Sequence, residues 1–567
     1  EFPQRVHDSL DAVDGGEGTV DVLVFNGNDT NTSALDGVRN VEYISVTGSN
    51  VHLTLTDAMA DSADAQLTID ASSANGLTLD MGAVSSQSVY LIGTEGIDYV
   101  TLGGGSDVAS LGADDDVVVA STGGDDSINL GSGANRVDFD AELNNADTVV
   151  GSGADTLTYV DANGAADELD HVSGMGLVSV VGADSIVSIA ITLGNDSIFA
   201  AGATLDAAAS SSGLVLDASV NSQGMVVLAT DYADAVTLGS GNDVASLGSG
   251  DDYVQASVGG ADSISLGDGS DTITFEEALT SADTVMGGDG TDALLFNGND
   301  TNTSALDGVT HVEFISVSGS DVHLTLTGAV VDTADVPLTV DASSSSNLVL
   351  DAQAGTESLN VIGTDGADFV TLGGGNDVAS LGAADDYVNA AKGGEDSINL
   401  GDGANWVDFD SLLGVQDAVI GSGADTLTYV DNDGSADELD NVTGMQLVSV
   451  VGASGSDIEI TLNNNAVFAA NATLDASQSA TALVLDAQAD TDGMVVLGTT
   501  VVGGDDVILG AGSDTLNASE GNDFVDASFG GNDSIDLGTG NDTVVFGDSL
   551  SGDDVVMGGD GTDVLTY

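Results

Sequence analysis

Asp243 and Asp252 stand nine residues apart in Leu238–Val254, LGSGNDVASLGSGDDYV, and each closes a Gly-x-Gly turn and opens a short β-prone run. A carboxylate is a hard oxygen donor, and a short fixed period sets one such turn against the next. Residues of these types at this spacing point to a stack of turns that holds cations. The same cadence is written in four blocks. The first block places Asp98, Asp107, Asp116, Asp126, Asn135, Asp147 and Asp155 at the turns, and the second Asp234, Asp243, Asp252, Asp262, Asp271, Asp283 and Asp292. The third has Asp368, Asp377, Asp386, Asp396, Asn405, Asp417 and Asp425, and the fourth Asp506, Asp514, Asp523, Asp533, Asp542, Asp554 and Asp563. Spacings run 9-9-10-9-12 and then 8 or 9, except that the fourth block opens with 8. One irregular rhythm repeated with its irregularities describes one structural unit.

Composition supports that chemistry. The 567 residues hold 94 acidic side chains against 4 basic ones, a net charge of −90, yet 42% are hydrophobic, which a disordered acidic chain would not be. Two carboxylates about 5 Å apart repel by roughly 3 kcal/mol at an effective dielectric near 20. Repeated over many neighbours, that exceeds the usual net stability of roughly 5–15 kcal/mol. The chain therefore folds only if its charge is neutralised. Of the acidic residues 80 are Asp and 14 Glu, a bias toward the shorter, turn-compatible carboxylate that a merely solvated surface has no reason to show. Without a basic patch, nucleic acid and anionic membranes are not expected partners. Cysteine is absent, so neither disulfides nor Cys-based zinc sites contribute. No apolar run approaches the roughly 18 residues of a membrane span. The chain begins at Glu1 with no Met and no signal-like segment, which reads as a mature product or an excised piece.

The elements that must position these carboxylates are short strands. Apolar residues follow each Asp by two and often four positions, as Val100 and Leu102 follow Asp98 and Ile273 and Phe275 follow Asp271. Period 2 turns both side chains to one face, while the glycine-rich half can only be turn. Turn, strand, turn, strand without a crossover helix predicts an all-β, right-handed parallel β-roll or β-solenoid in tandem modules. Between the blocks lie segments such as 33–92 and 165–230 that lack the motif but still alternate, as in Val51-x-Leu53-x-Leu55. They are expected to continue the solenoid as metal-free rungs, with a small separate β-sandwich as the alternative. Asp57–Ala65 is expected to hold a single helical turn.

Larger repeats frame the small ones. Phe25–Thr56 and Phe296–Thr327 differ at five of 32 positions, at an offset of 271. The chain is thus a tandem duplication whose halves divide again. Residues 1–22 read as the tail of a divergent module. Four modules follow at 23–157, 158–293, 294–427 and 428–567, with turn-rich blocks at about 93–157, 231–293, 363–427 and 503–567.

Gly287–Leu295 (GGDGTDALL) and Gly558–Thr566 (GGDGTDVLT) fit the pattern G-G-x-G-x-D-x-L-x, and Gly151–Tyr159 and Gly510–Ala518 come close to it. The chain resembles the RTX calcium-binding repeat proteins. The segment at Leu35–Val46 is similar to what separates RTX blocks in bacterial S-layer and large surface proteins. The resemblance implies a parallel β-roll that binds multiple Ca2+ ions between stacked turns, with carboxylates and loop carbonyls as ligands. Carried onto this sequence, the implied ligands are all the turn Asp residues named above except the four at the 12-residue steps. Ca2+ suits such sites better than Mg2+, which demands a small octahedron. Asn135 and Asn405 carry less charge, which implies weaker or empty sites. The 12-residue steps at Asp147, Asp283, Asp417 and Asp554 imply a bulge or widened coil with poorer binding.

Other residues have plainer readings. The five His, His7, His52, His171, His311 and His323, show no paired metal spacing, and no G-x-S-x-G elbow accompanies the many serines. Arg136 and Trp406 occupy equivalent repeat positions and read as surface variation. Sequons such as Asn31-Thr32-Ser33 are expected by chance in a chain this rich in Asn, Ser and Thr. The RTX resemblance implies a type I route of secretion, and the expectation is a non-enzymatic protein, secreted and displayed at the cell surface. It folds on external calcium and assembles with itself, head-to-tail or laterally, into a layer, sheath or filament. The open strand edge at Val564–Tyr567 is the expected joint, and cell-surface polysaccharide a further possible partner. The alternative is the calcium-rigidified extender of a large RTX adhesin.

Overall fold

In the turn-rich blocks most strands are three residues long, because a glycine turn interrupts each nonapeptide before a longer strand can pair. In the computed structural model, which describes residues 12–18, 20–26, 35–60, 63, 65–184, 186–298 and 304–567, Tyr99–Thr101, Val108–Ser110, Val117–Val119, Ser127–Asn129 and Arg136–Asp138 follow one another in this way. His7 and Asn31–Ser33 lie outside the described residues. Each strand pairs in parallel with the strand after next. Tyr99 lies beside Val117 and Val117 beside Arg136, while Val108 lies beside Ser127 and Ser127 beside Thr148. Two nonapeptides therefore make one flattened coil, and stacked coils build two parallel sheets. This is a β-solenoid.

The core is thin and continuous. Only the middle residue of each strand turns inward, so Val100, Ala109, Val118, Ile128 and Val137 are at most 2% exposed. The residue two further on fills the corner, as Leu102, Leu111, Leu130 and Phe139 do, and as Leu238 and Leu247 do in the second block. Burying such a side chain contributes about 1.5–3 kcal/mol.

The chain divides into two compact units, Glu1–Ala278 with Ala282–Asp292, and Leu279–Ser281 with Ala293–Tyr567. Within the first, parallel stacking runs straight through the segments that lack the motif. Tyr43–Thr56 lies on Leu67–Ala83, which in turn carries both Val89–Ile92 and Tyr99–Thr101. Likewise Thr148–Asp161 carries Val172–Gly182, followed by Phe199–Asp206 and Val226–Leu228. The second unit repeats this from Ala293–Asn297 on Phe314–Gly319 to Thr543–Val545 on Val564–Thr566. The intervening segments are solenoid coils, and no separate sandwich forms from them among the described residues. Single helical turns occur at Asp57–Ala60 and at the repeat-equivalent Gly328–Val331. No helix among the described residues is long and apolar enough to cross a membrane.

Candidate metal centre

The glycines are what let the turns stack closely enough to act together. At Gly267 (φ +112°) a Cβ would lie 1.9 Å from the carbonyl oxygen of Gly248, and at Gly269 1.7 Å from that of Gly250. Neither the dihedral nor the space admits a side chain. Each turn thereby delivers its Asp to the same place on the coil, next to the Asp of the coil before.

The carboxylates form two hydrogen-bonded files per block. Asp116 Oδ1 accepts the amide N–H of Asp98 at 2.8 Å, Asn135 Oδ1 that of Asp116 at 2.8 Å, and Asp155 Oδ1 that of Asn135 at 2.9 Å. Along the other edge Asp126 Oδ1 accepts from Asp107 and Asp147 Oδ1 from Asp126. The second block repeats this as Asp234–Asp252–Asp271–Asp292 and Asp243–Asp262–Asp283. The third does so as Asp368–Asp386–Asn405–Asp425 and Asp377–Asp396–Asp417. All these residues are at most 3% exposed. The asparagines keep the file intact, since Asn135 and Asn405 also donate Nδ2–H to Asp155 and Asp425.

The fourth block corrects one expected position. Its first file runs Asp505–Asp523–Asp542–Asp563, and its second Asp514–Asp533–Asp554. Asp505 is 2% exposed, whereas Asp506 opens the strand Asp506–Ile508 and faces solvent. The two are adjacent and of one type, so a count of spacings could take either. Placing Asp505 in the file restores the nine-residue opening step seen in the other blocks. Asp563, in the last coil, is exposed.

Hydrogen bonding sorts the file members in a way that spacing cannot. The first Asp of each block is saturated by a threonine upstream. Asp98 accepts from both the amide and the hydroxyl of Thr94, Asp234 from Thr230, Asp368 from Thr364 and Asp505 from Thr499. At the 12-residue steps the extra residues tuck Leu143, Leu279 and Leu413 inward, and Asp147, Asp283 and Asp417 remain in the file. There the longer loop caps its own carboxylate, with the amides of Asn144, Gly414 and Ser551 donating to the Oδ2 of Asp147, Asp417 and Asp554. By contrast, the Oδ2 atoms of Asp116, Asp252, Asp271, Asp386, Asp396, Asp523 and Asp542 are buried with no hydrogen-bond donor.

Those orphaned oxygens define the chemistry. A buried acceptor left unmade costs about 1–3 kcal/mol, and a charged one more. Burial, reinforced by neighbouring carboxylates, pushes Asp116, Asp126, Asp252, Asp262, Asp386 and Asp396 up to about 7. Asp523 and Asp533 rise to about 6 for the same reasons. Among the described residues no basic side chain is seen paired with these carboxylates, and the ion pair Arg136–Asp138 lies on the surface. A hard cation beside each free Oδ2 would supply both the missing partner and the missing charge, and the donor set is all oxygen.

A family model described as the RTX calcium-binding nonapeptide repeat (4 copies) matches residues 90–118, 228–259, 257–276, 362–394, 501–530, 509–544, 530–549 and 549–565. These stretches fall on the four turn-rich blocks. The chain is an RTX repeat protein. Comparison with curated proteins gives no match. As an RTX protein it is a calcium-binding structural repeat protein, and the free oxygens of its files suit calcium. Calcium supplies positive charge to carboxylates that are otherwise uncompensated. The residues that would hold it are those with an uncapped Oδ2. The Thr-capped residues and the loop-capped Asp147, Asp417 and Asp554 order the turns around them.

Proposed function

We propose that this RTX protein is secreted, folds on calcium outside the cell and assembles with itself into an extracellular layer, sheath or filament, without catalysing a reaction. The carrying observation is the column of buried, partly unpaired carboxylates in every block. Such a column is unstable at the low calcium of a cytosol and stable at the millimolar calcium outside it. Low calcium keeps the chain expanded by self-repulsion, and external calcium closes the coils. Near-identical blocks, each built as the last, suit a protein that spaces or coats, and several calcium ions per block follow from the repeated free oxygens. Self-assembly supplies the partner, and surface polysaccharide is a candidate anchor.

Circular dichroism and electron microscopy with and without chelator test the proposal. The expected result is little β signal in chelator, full β signal in calcium, and extended polymers in calcium. Full β signal in chelator that calcium leaves unchanged would sink calcium-driven folding. A calcium-folded chain that stays monomeric would sink self-assembly and support the extender region of a large adhesin.

A further inference from the structure

Outside the nonapeptide turns, one loop gathers carboxylates of its own. The strand Thr426–Asp431 leads into a turn at Gly434 (φ +66°), and Asp431, Asp433 and Glu438 bring one oxygen each within 4.8 Å of one another. Two of the three are inside the protein, Asp431 at 1% and Glu438 at 5% exposure. Asp431 is fixed in place: Oδ1 accepts from the amides of Asp433 (3.2 Å) and Gly434 (2.8 Å), and Oδ2 from Glu459 of the next coil (3.0 Å). The sequence holds only 4 basic residues, so like charges at this separation call for a cation from solution.

A second observation points into the same space. Tyr429 lies two residues before Asp431 on the same buried face of the strand, 3% exposed, and its phenol oxygen has no hydrogen-bond partner. Burial first, and then the charges of Glu438 and Asp431, push its phenol up, yet it bonds to neither carboxylate. A buried O–H that bonds to neither carboxylate lacks the acceptor that an ion-bound oxygen would supply. The loop is also built twice. In the first unit Asp161 Oδ1 accepts from the amides of Asn163 and Gly164, Oδ2 accepts from Ala190, Glu168 is buried, and the Tyr159 phenol oxygen is again unpartnered.

We propose that the loop 431–438 binds a divalent cation of the calcium class through Asp431, Asp433 and Glu438, with the Tyr429 hydroxyl donating to an oxygen bound to that ion. This site differs from the RTX sites in kind. One loop provides all its carboxylates, and it pins the corner where a turn-rich block passes into motif-free coils. The loop 161–168 has Asn163 in place of Asp433 and binds the same ion more weakly.

The test uses the full chain in saturating calcium, with Asp433→Asn and Glu438→Gln read by thermal unfolding and Tyr429→Phe by tyrosine-sensitised terbium emission. If the ion is held, both charge-removing variants lower Tm by several degrees. Asp433→Asn and Tyr429→Phe then lose the same phase of the terbium titration. If no ion is held, removing a negative charge from the cluster relieves repulsion. In that case Tm stays level or rises and the terbium curves superimpose on wild type, which overturns the proposal. Asp433 is exposed, so its variant folds whatever becomes of Glu438→Gln. Failure of calcium binding at the nonapeptide turns looks different, since chelator would then leave the β signal of the wild-type chain unchanged.

Discussion

At the residue scale, two oxygens of one carboxylate have separate work. Oδ1 of Asp252 accepts the amide of Asp234 at 2.8 Å and so holds two coils in register, while its Oδ2 is left for the ion. Asp252→Asn keeps the first role and loses the charge needed for the second. Calcium affinity measured by calorimetric titration should fall, with Tm in calcium falling alongside it. Thr230→Ala removes a hydroxyl donor from Asp234 (2.8 Å) and should destabilise by about 1 kcal/mol while leaving the number of bound ions unchanged. A Thr230→Ala chain that binds fewer ions would show that the capped carboxylates are ligands too.

At the element scale, the turn decides whether coils can stack. Gly267→Ala would drive a methyl against the Gly248 carbonyl in a left-handed backbone, and unfolding in calcium should show a loss of about 3 kcal/mol. The converse holds at Ala384 (φ +75°), where an L-residue occupies the position that Gly250 and Gly269 fill elsewhere. Ala384→Gly should raise stability by about 1 kcal/mol, visible as a higher Tm. A neutral or destabilising outcome would mean that this turn is not strained. Exposed faces of the strands vary more freely: Phe369, Tyr387 and Trp406 form an aromatic file across three coils, with centroids 6.2 and 5.5 Å apart, while Arg136 takes the Trp406 position in the first unit.

Across the whole molecule, charge sets the response to pH. Without calcium, Asp116, Asp252 and Asp386 titrate at about 7 in the folded chain against 3.8 for an ordinary Asp. A folded-state pKa above the unfolded one stabilises the fold most below the unfolded pKa, and that stability is lost as pH rises through the folded pKa. In chelator, lowering pH from 7.5 to 5 should therefore recover β signal by circular dichroism, protons standing in for calcium. With calcium present the ion and the proton compete for the same oxygens, so the calcium needed to half-saturate the sites of the folded chain should increase over the same range, while less of it is needed to fold the chain. A chain whose β signal in chelator is flat between those pH values would show that the carboxylates do not control folding.

Much of this was legible in the sequence, because both the fold and the site are periodic. Alternation two and four residues after each Asp gave the inward faces of three-residue strands, and the glycine rhythm gave the coil. The Asp505 position was not legible, because neighbouring residues of one type differ only in which faces inward. Nor was the division between capped and uncapped carboxylates, since the capping threonine of Asp98 acts only once the turn has closed. The loop at Asp431–Glu438 carries no nonapeptide rhythm and escaped notice for that reason, though its D-x-D-G spelling could have flagged it. Sequence alone determined that this chain is a stack of calcium-binding turns, because short-range spacing dictates backbone conformation. Only the tertiary structure decided which oxygens are left for the metal, because that depends on which amides the neighbouring coil brings within reach.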